Sequence, residues 1–224
     1  MADGACWACG QPTAAAAFCP GCGRIQPAPE DVDYFALLGL PRRLDLDLTE
    51  LEESFYALSR RFHPDRFGNA GPEEQDYSTG RSSAVNIAYR TLRDPIARAR
   101  YVLKLHGLLP EEGKAQAPPQ GFLMEVLEIQ ETLGEYTTAA PAERAGLRAR
   151  LEEARERLLG RIRDEDALVQ ELFRQHDVAA GGDGAGLTEG QRAVLKELEA
   201  ILNTRKYLTN LVGKIDEALQ SPET

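Results

Sequence analysis

The stretch Thr49-Glu50-Leu51-Glu52-Glu53-Ser54-Phe55-Tyr56-Ala57-Leu58-Ser59-Arg60-Arg61-Phe62-His63-Pro64-Asp65 decides the fold. Leu51, Phe55, Leu58 and Phe62 recur at steps of four, three and four, a single apolar stripe along an α-helix. Thr49, with Glu52 three residues on, reads as a capping box at its start. Pro64 stops the helix, because it brings no N–H, and it biases His63 away from the α region. The helical period continues on both sides. Tyr34, Phe35, Leu37 and Leu38 form a short first helix, stopped by Gly39 and Pro41. Downstream, a polar loop with Gly68, Gly71 and Pro72 leads to a third helix carrying Val85, Ala88 and Leu92. That helix ends at Asp94-Pro95. A fourth runs roughly from Ile96 to His106 and is closed by Gly107.

Beyond residues 110–120, which read as a linker with Pro118-Pro119, lie three longer helical stretches. The first spans Phe122 to Tyr136. The second runs roughly from Ala142 to His176, with Leu147, Leu151, Ala154, Leu158 and Ile162 close to a heptad. The third runs roughly from Thr188 to Leu219 and opens on a second capping box, Thr188 with Gln191. Its apolar set is Leu195, Leu198, Leu202, Leu208, Leu211, Ile215 and Leu219. Three amphipathic helices with short connections predict an antiparallel three-helix bundle. Composition agrees with an all-α fold: 29 Leu and 30 Ala stand against 15 Ile plus Val.

The 224 residues carry 26 basic and 36 acidic side chains, a formal charge of −10. That balance argues against a general nucleic-acid binder, which needs a basic surface to release counterions. No apolar run reaches the roughly 18 residues of a membrane span. Met1-Ala2-Asp3-Gly4 has neither the basic nor the apolar region of a secretory signal, and it is not the Arg- and Ser-rich stretch of a transit peptide. A cytoplasmic location is the expectation; a mitochondrial matrix form would need a presequence.

All four cysteines fall between Cys6 and Cys22, in the pattern Cys6-x-x-Cys9, nine residues, Cys19-x-x-Cys22. Each pair sits at knuckle spacing, and two knuckles supply four soft ligands for a tetrahedral ion. Gly10, Gly21 and Gly23 suit the tight backbone of such turns. Structural Zn2+ is the favoured ligand, and iron in the same cage is the rival. A redox dithiol fits less well, since no βαβ unit surrounds the cysteines. Four ligands leave no open position for catalysis. The metal either folds a segment too short to bury a core or also serves docking. Trp7, the only tryptophan, reads as a cover for the metal site ahead of a partner contact. Gln26-Pro27-Ala28-Pro29 reads as a short stiff linker.

His63-Pro64-Asp65 follows an amphipathic helix and precedes a polar loop. A bland reading makes it a helix stop with a surface histidine. An enzymatic reading, with His63 as a base oriented by Asp65, lacks a nucleophile, and the chain has no Gly-x-Ser-x-Gly. Arg60, Arg61 and Arg66 flank the tripeptide and make a local basic patch on an acidic chain. Such a patch suits an acidic protein partner.

Three motifs stand in register: Tyr34-Phe35-x-Leu37-Leu38-Gly39-Leu40, then Arg61-Phe62-His63-Pro64-Asp65-Arg66-Phe67, then Asn86-x-Ala88-Tyr89-x-Thr91-Leu92-x-Asp94-Pro95. Together they resemble a J domain, the module with which co-chaperones stimulate DnaK-type ATPases. Arg98-Ala99-x-Tyr101-x-Leu103-x-Leu105-His106-Gly107 and Phe122-Leu123-Met124-Glu125-x-Leu127-Glu128 are similar to the HscB-type J proteins of iron–sulfur cluster assembly. Cys6-Trp7-x-Cys9 and Cys19-Pro20-x-Cys22 resemble the zinc-binding extension of some members. The resemblance covers nearly the whole chain and thins after Thr137.

The resemblance implies a tetracysteine zinc knuckle at 1–25, a helical J domain with its following helix at 31–107, and a scaffold-binding three-helix bundle at 120–220. It implies a co-chaperone and no enzyme. His63, Pro64 and Asp65, with Arg60, Arg61 and Arg66, would dock on a DnaK/HscA-type chaperone ATPase. Leu123, Met124, Leu127 and Tyr207 would bind an IscU-type iron–sulfur scaffold. Periodicity alone puts Leu123 and Leu127 in the core; the resemblance reverses that. Glu125, Glu128 and Glu131 read as a solvated face. The alternative is a zinc-knuckle nucleic-acid or protein adaptor with a helical oligomerisation domain. Against nucleic acid, Arg24 is the sole basic residue in 1–25. Gly181-Gly182-Asp183-Gly184-Ala185-Gly186 follows a helix rather than a strand and reads as an interhelical loop. His106 and His176 read as surface or helix-end residues. Glu152, Glu153 and the Asp164-Glu165-Asp166 run, with Arg148, Arg157 and Arg161 nearby, read as surface pairing.

Overall fold

A computed structural model describes residues 4–14, 16–29, 31–109, 121–180 and 186–220. Its helices are α1 (Tyr34–Leu38), α2 (Leu48–Phe62), α3 (Pro72–Arg93), α4 (Pro95–Leu105), α5 (Leu123–Thr138), α6 (Pro141–Val178) and α7 (Glu189–Gln220). A 3₁₀ turn, Pro64–Phe67, follows α2. The fold is all-α, as expected. The linker at 110–120 and the glycine-rich loop at 181–185 lie outside the described residues. Two compact units divide the chain, Met1–Arg98 and Ala99–Thr224.

In the first unit, α3 packs along both α1 and α2. Phe35, Leu38, Leu44, Leu51, Phe62, Val85, Ala88 and Leu92 are buried. Each large side chain among them contributes roughly 1.5–3 kcal/mol relative to leaving it in water. Phe55 is half-buried and stacks on Tyr89, with ring centres 4.1 Å apart. The start of α2 differs from the expected capping box. The helix begins at Leu48, so Thr49 already lies inside the first turn. Asp47 is the cap, its Oδ1 accepting from the N–H groups of Thr49 at 2.8 Å and Glu50 at 3.4 Å. Pro64 ends α2 as expected, with His63 extended at φ −60° and ψ 128°.

The second unit contains α5, α6 and α7, whose pairing is antiparallel. Arg155 near the start of α6 meets Asp216 near the end of α7 at 2.6 Å, and Arg205 meets Asp166 at 2.7 Å. Phe122, Val126, Ile129 and Tyr136 pack with Leu151, Ala154 and Leu158 of α6 and with Leu208, Leu211 and Ile215 of α7. The 16-residue α5 matches only part of the 38-residue α6. Thr188 and Gln191 form the expected capping box, each accepting from the other's N–H at 3.1 Å. His176 sits at a helix end, but it is buried rather than on the surface: Nδ1 lies 3.0 Å from Asp177 Oδ1, and Nε2 lies 3.5 Å from Gln191 Nε2. The first turn of α7 closes over it. Among the described residues, no helix is long and apolar enough to cross a membrane.

Candidate functional site

His63, Pro64 and Asp65 are all exposed. The turn that presents them is braced from below. Helix termination at Pro64 leaves carbonyls at the end of α2 without helical partners. The Phe62 carbonyl is recovered by Ser78 on α3, whose buried hydroxyl donates to it at 2.8 Å. His63 caps the 3₁₀ turn: the Asp65 N–H donates to Nδ1 at 3.3 Å. Asp65 Oδ2 stands 3.5 Å from the same nitrogen and is almost wholly exposed. Arg66 donates to the Arg60 carbonyl at 3.4 Å, closing the loop back on α2. Arg60, Arg61 and Arg66 are exposed. The arrangement offers one carboxylate, one imidazole and three guanidinium groups to a surface.

The four cysteines converge. Their Sγ atoms lie within 4.8 Å of one another, with Cys6–Cys22 and Cys9–Cys19 both at 3.6 Å. Four thiolates about 2.3 Å from one ion stand roughly 3.8 Å apart, so this donor set fits a tetrahedral soft metal. The two knuckles are built alike. The N–H of Cys6 donates to Gln11 O and that of Gly10 to Cys6 O; the N–H of Cys19 donates to Arg24 O and that of Gly23 to Cys19 O, all at 2.8–2.9 Å. Gly10 and Gly23 adopt φ of 73° and 74°, a conformation that strains any residue with a Cβ. Cys6 and Cys19 are buried, while Cys9 and Cys22 face outward. Burial opposes ionisation of Cys6, but the N–H groups of Ala8 and Cys9 and the neighbouring thiols outweigh it and lower the thiol to about 6. The Gln11 N–H favours a Cys9 thiolate, yet desolvation and the other three sulfurs outweigh it and raise Cys9 to about 12.

The module around these cysteines lies against α2 and α3. Trp7 does more than cover the metal site: its ring edge meets Tyr77 of α3 at 5.6 Å, and Nε1 donates to Ile25 O at 2.8 Å. Phe18 stacks on Phe62 at 5.9 Å. The segment read as a stiff linker is a docked strap. Gln26 is buried and donates from Nε2 to Cys6 Sγ at 3.4 Å. Arg81 of α3 donates to the carbonyls of Gln26 at 2.6 Å and Pro27 at 2.9 Å. Sequence reasoning missed Ser78, Arg81, Gln26 and Phe18. A signal was available for two of them: Ser78 and Arg81 extend the Val85, Ala88, Leu92 stripe at helical steps, so both had to be buried and partnered.

On α5, Leu123, Met124 and Leu127 are 46%, 66% and 50% exposed, while Phe122, Val126 and Ile129 are buried. The helix is therefore apolar on two sides. Glu125 is not a free acidic group: Arg161 of α6 donates to it at 2.6 Å and lies 4.6 Å over the Phe122 ring. That clamp fixes the start of α5 and leaves the neighbouring leucines outside. Tyr207 stands on α7, half-buried against the core. The acidic residues near Arg148 and Arg157 form the expected pairs, Arg148–Glu152 at 2.9 Å and Arg157–Glu153 at 3.3 Å.

Comparison with known proteins agrees over most of the chain. Residues 33–101 match the DnaJ domain, and residues 118–216 match the HSCB C-terminal oligomerisation domain. The co-chaperone protein HscB homolog of Bordetella petrii is 37% identical over 150 residues, covering 67% of this chain and 84% of that protein. The human iron–sulfur cluster co-chaperone protein HscB is 38% identical over 140 residues, covering 60% of this chain and 59% of its own length. For the Arabidopsis thaliana homolog the matched region is about half of the relative, 51%. The crystal structure of human co-chaperone protein HscB superposes with a TM-score of 0.67 at 30% identity, covering 95% of this chain and 97% of that one. The motif order, the helical architecture and these matches converge: the chain belongs to the HscB family of iron–sulfur cluster co-chaperones.

Proposed function

We propose that this protein stimulates ATP hydrolysis by a DnaK-type, HscA-like chaperone and delivers an IscU-type scaffold to it. The observation that carries the reading is the exposed His63-Pro64-Asp65 turn braced on α3 through the Phe62 carbonyl and Ser78. A braced, exposed turn can act on another protein by contact alone. Asp65 is free to take a charge-assisted hydrogen bond from an arginine on the ATPase, and Arg60, Arg61 and Arg66 suit an acidic face around it. The protein contributes contact geometry and no hydrolytic group of its own. Stimulation then means that the partner's two states bind this surface unequally.

Leu123, Met124 and Leu127 are the proposed scaffold-binding surface, with Tyr207 as a further contributor from α7. Exposed leucines and a methionine beside a buried face of the same helix are the composition of a protein-binding patch. Cys6, Cys9, Cys19 and Cys22 would hold Zn2+, which supplies a structural cross-link between the two knuckles.

Steady-state ATP hydrolysis by the chaperone, with and without this protein and the scaffold, tests the reading. His63→Gln should abolish stimulation and leave scaffold binding intact. Full stimulation by that variant would remove the turn from the mechanism.

A further inference from the structure

An unbroken series of contacts joins the cysteine site to the His-Pro-Asp turn. Gln26 Nε2 donates to Cys6 Sγ, and the Gln26 carbonyl accepts from Arg81 Nε. The Arg81 guanidinium lies 5.5 Å from the centre of the Phe62 ring. Phe18, the neighbour of Cys19, stacks on that ring at an interplanar angle of 18°. Phe62 directly precedes His63. Arg61 is drawn in as well: its guanidinium lies 4.8 Å from the Phe18 ring centre and 5.8 Å from that of Phe62.

Arg81 is an expensive choice for this position. It is 5% exposed, and among the described residues no carboxylate pairs with it. Burial disfavours its charge, and the nearby Arg61 adds to the cost. An aliphatic residue on the same stripe would stabilise the unit at less expense. What arginine supplies is a rigid fork that holds two successive carbonyls of the strap at a fixed angle to an aromatic ring.

We propose that the tetracysteine module is a positioning element of the chaperone-docking surface, acting through Gln26, Arg81 and Phe18 to hold Arg61, Phe62 and the turn in their docking geometry. The inference rests on the assignment of that turn to the ATPase. It gives the module a role in affinity for the chaperone, beyond folding its own short segment. The module belongs to the docking surface although none of its cysteines need touch the partner.

Titrating the chaperone with the 224-residue chain, loaded with zinc, separates the half-maximal concentration from the maximal rate. Phe18→Ala deletes one aromatic pair and should raise the half-maximal concentration about three- to tenfold. Maximal stimulation and scaffold affinity should hold. Arg81→Lys keeps the charge, loses the fork and should shift the same quantity in the same direction. Amide exchange across 61–67 should quicken in both variants. An unshifted half-maximal concentration in both, or unchanged exchange across 61–67, overturns the proposal. If Phe18→Ala sheds its metal, Arg81→Lys decides, because it alters α3 rather than the cysteine loops. Loss of stimulation in His63→Gln alongside unshifted Phe18 and Arg81 variants removes the positioning role alone. Persistence of stimulation in His63→Gln removes the docking assignment itself.

Discussion

Asp47 gathers the N–H groups of Thr49 and Glu50 onto one carboxylate oxygen, and the true start of α2 follows from that. Ser/Thr-x-x-Glu patterns and an aspartate two residues earlier compete for the same orphan donors. The aspartate wins here because it carries charge at the positive end of the helix. Asp47→Ala should lower stability by about 1 kcal/mol and Thr49→Ala by much less, read from urea denaturation midpoints. An equal loss in both would restore the capping box. Buried Arg81 and Ser78 make the complementary point at the same scale. Their burial was legible from the stripe they extend on α3, but their partners were not. Gln26 and Phe62 stand 55 and 16 residues away from Arg81 and Ser78 respectively, and helical spacing says nothing about which distant carbonyl a guanidinium or hydroxyl will meet.

The elements themselves were largely legible. Strong 3.6-residue periodicity, proline stops and glycine closures located the helices to within a few residues. Faces were harder. On α5, Leu123 and Leu127 stand four residues apart and Val126 and Ile129 three apart, both helical steps, so the periodicity that puts the leucine pair in the core fits the buried Val126 and Ile129 equally well. Packing against α6 and α7 decides it, with the Arg161–Glu125 clamp fixing the rotation. Leu127→Ala should therefore leave thermal stability nearly unchanged, within about 0.5 kcal/mol, and weaken scaffold binding. Ile129→Ala should cost about 2–5 kcal/mol. Equal destabilisation by the two would mean that the proposed binding face is core. The strap at 26–29 was misread for a related reason. Prolines do stiffen it, but stiffness does not distinguish a free spacer from a segment held by a buried arginine on another helix.

For the molecule as a whole, the four cysteines that could hold a metal ion all fall in the 1–98 unit, and the exposed leucines proposed as the scaffold-binding surface in the 99–224 unit. Chelating the metal should therefore lower the melting midpoint of the first unit and leave that of the helical bundle in place. In a unit of this size, a loss of one to two kcal/mol moves the midpoint by roughly 5–15 °C. Scanning calorimetry with and without chelator reads this directly; a bundle transition that falls equally would contradict it. The net charge of −10 belongs to the same scale, because it isolates the arginines around His63 as a basic island on an acidic surface. The chain's single indole, that of Trp7, sits where the cysteine module meets α3, hydrogen-bonded to Ile25 and edge-on to Tyr77. The protein thus carries one tryptophan, which can be excited selectively over its seven tyrosines, already placed at that seam. Its emission reports whether the module is seated or lifted, in the unlabelled protein and while the chaperone is turning over.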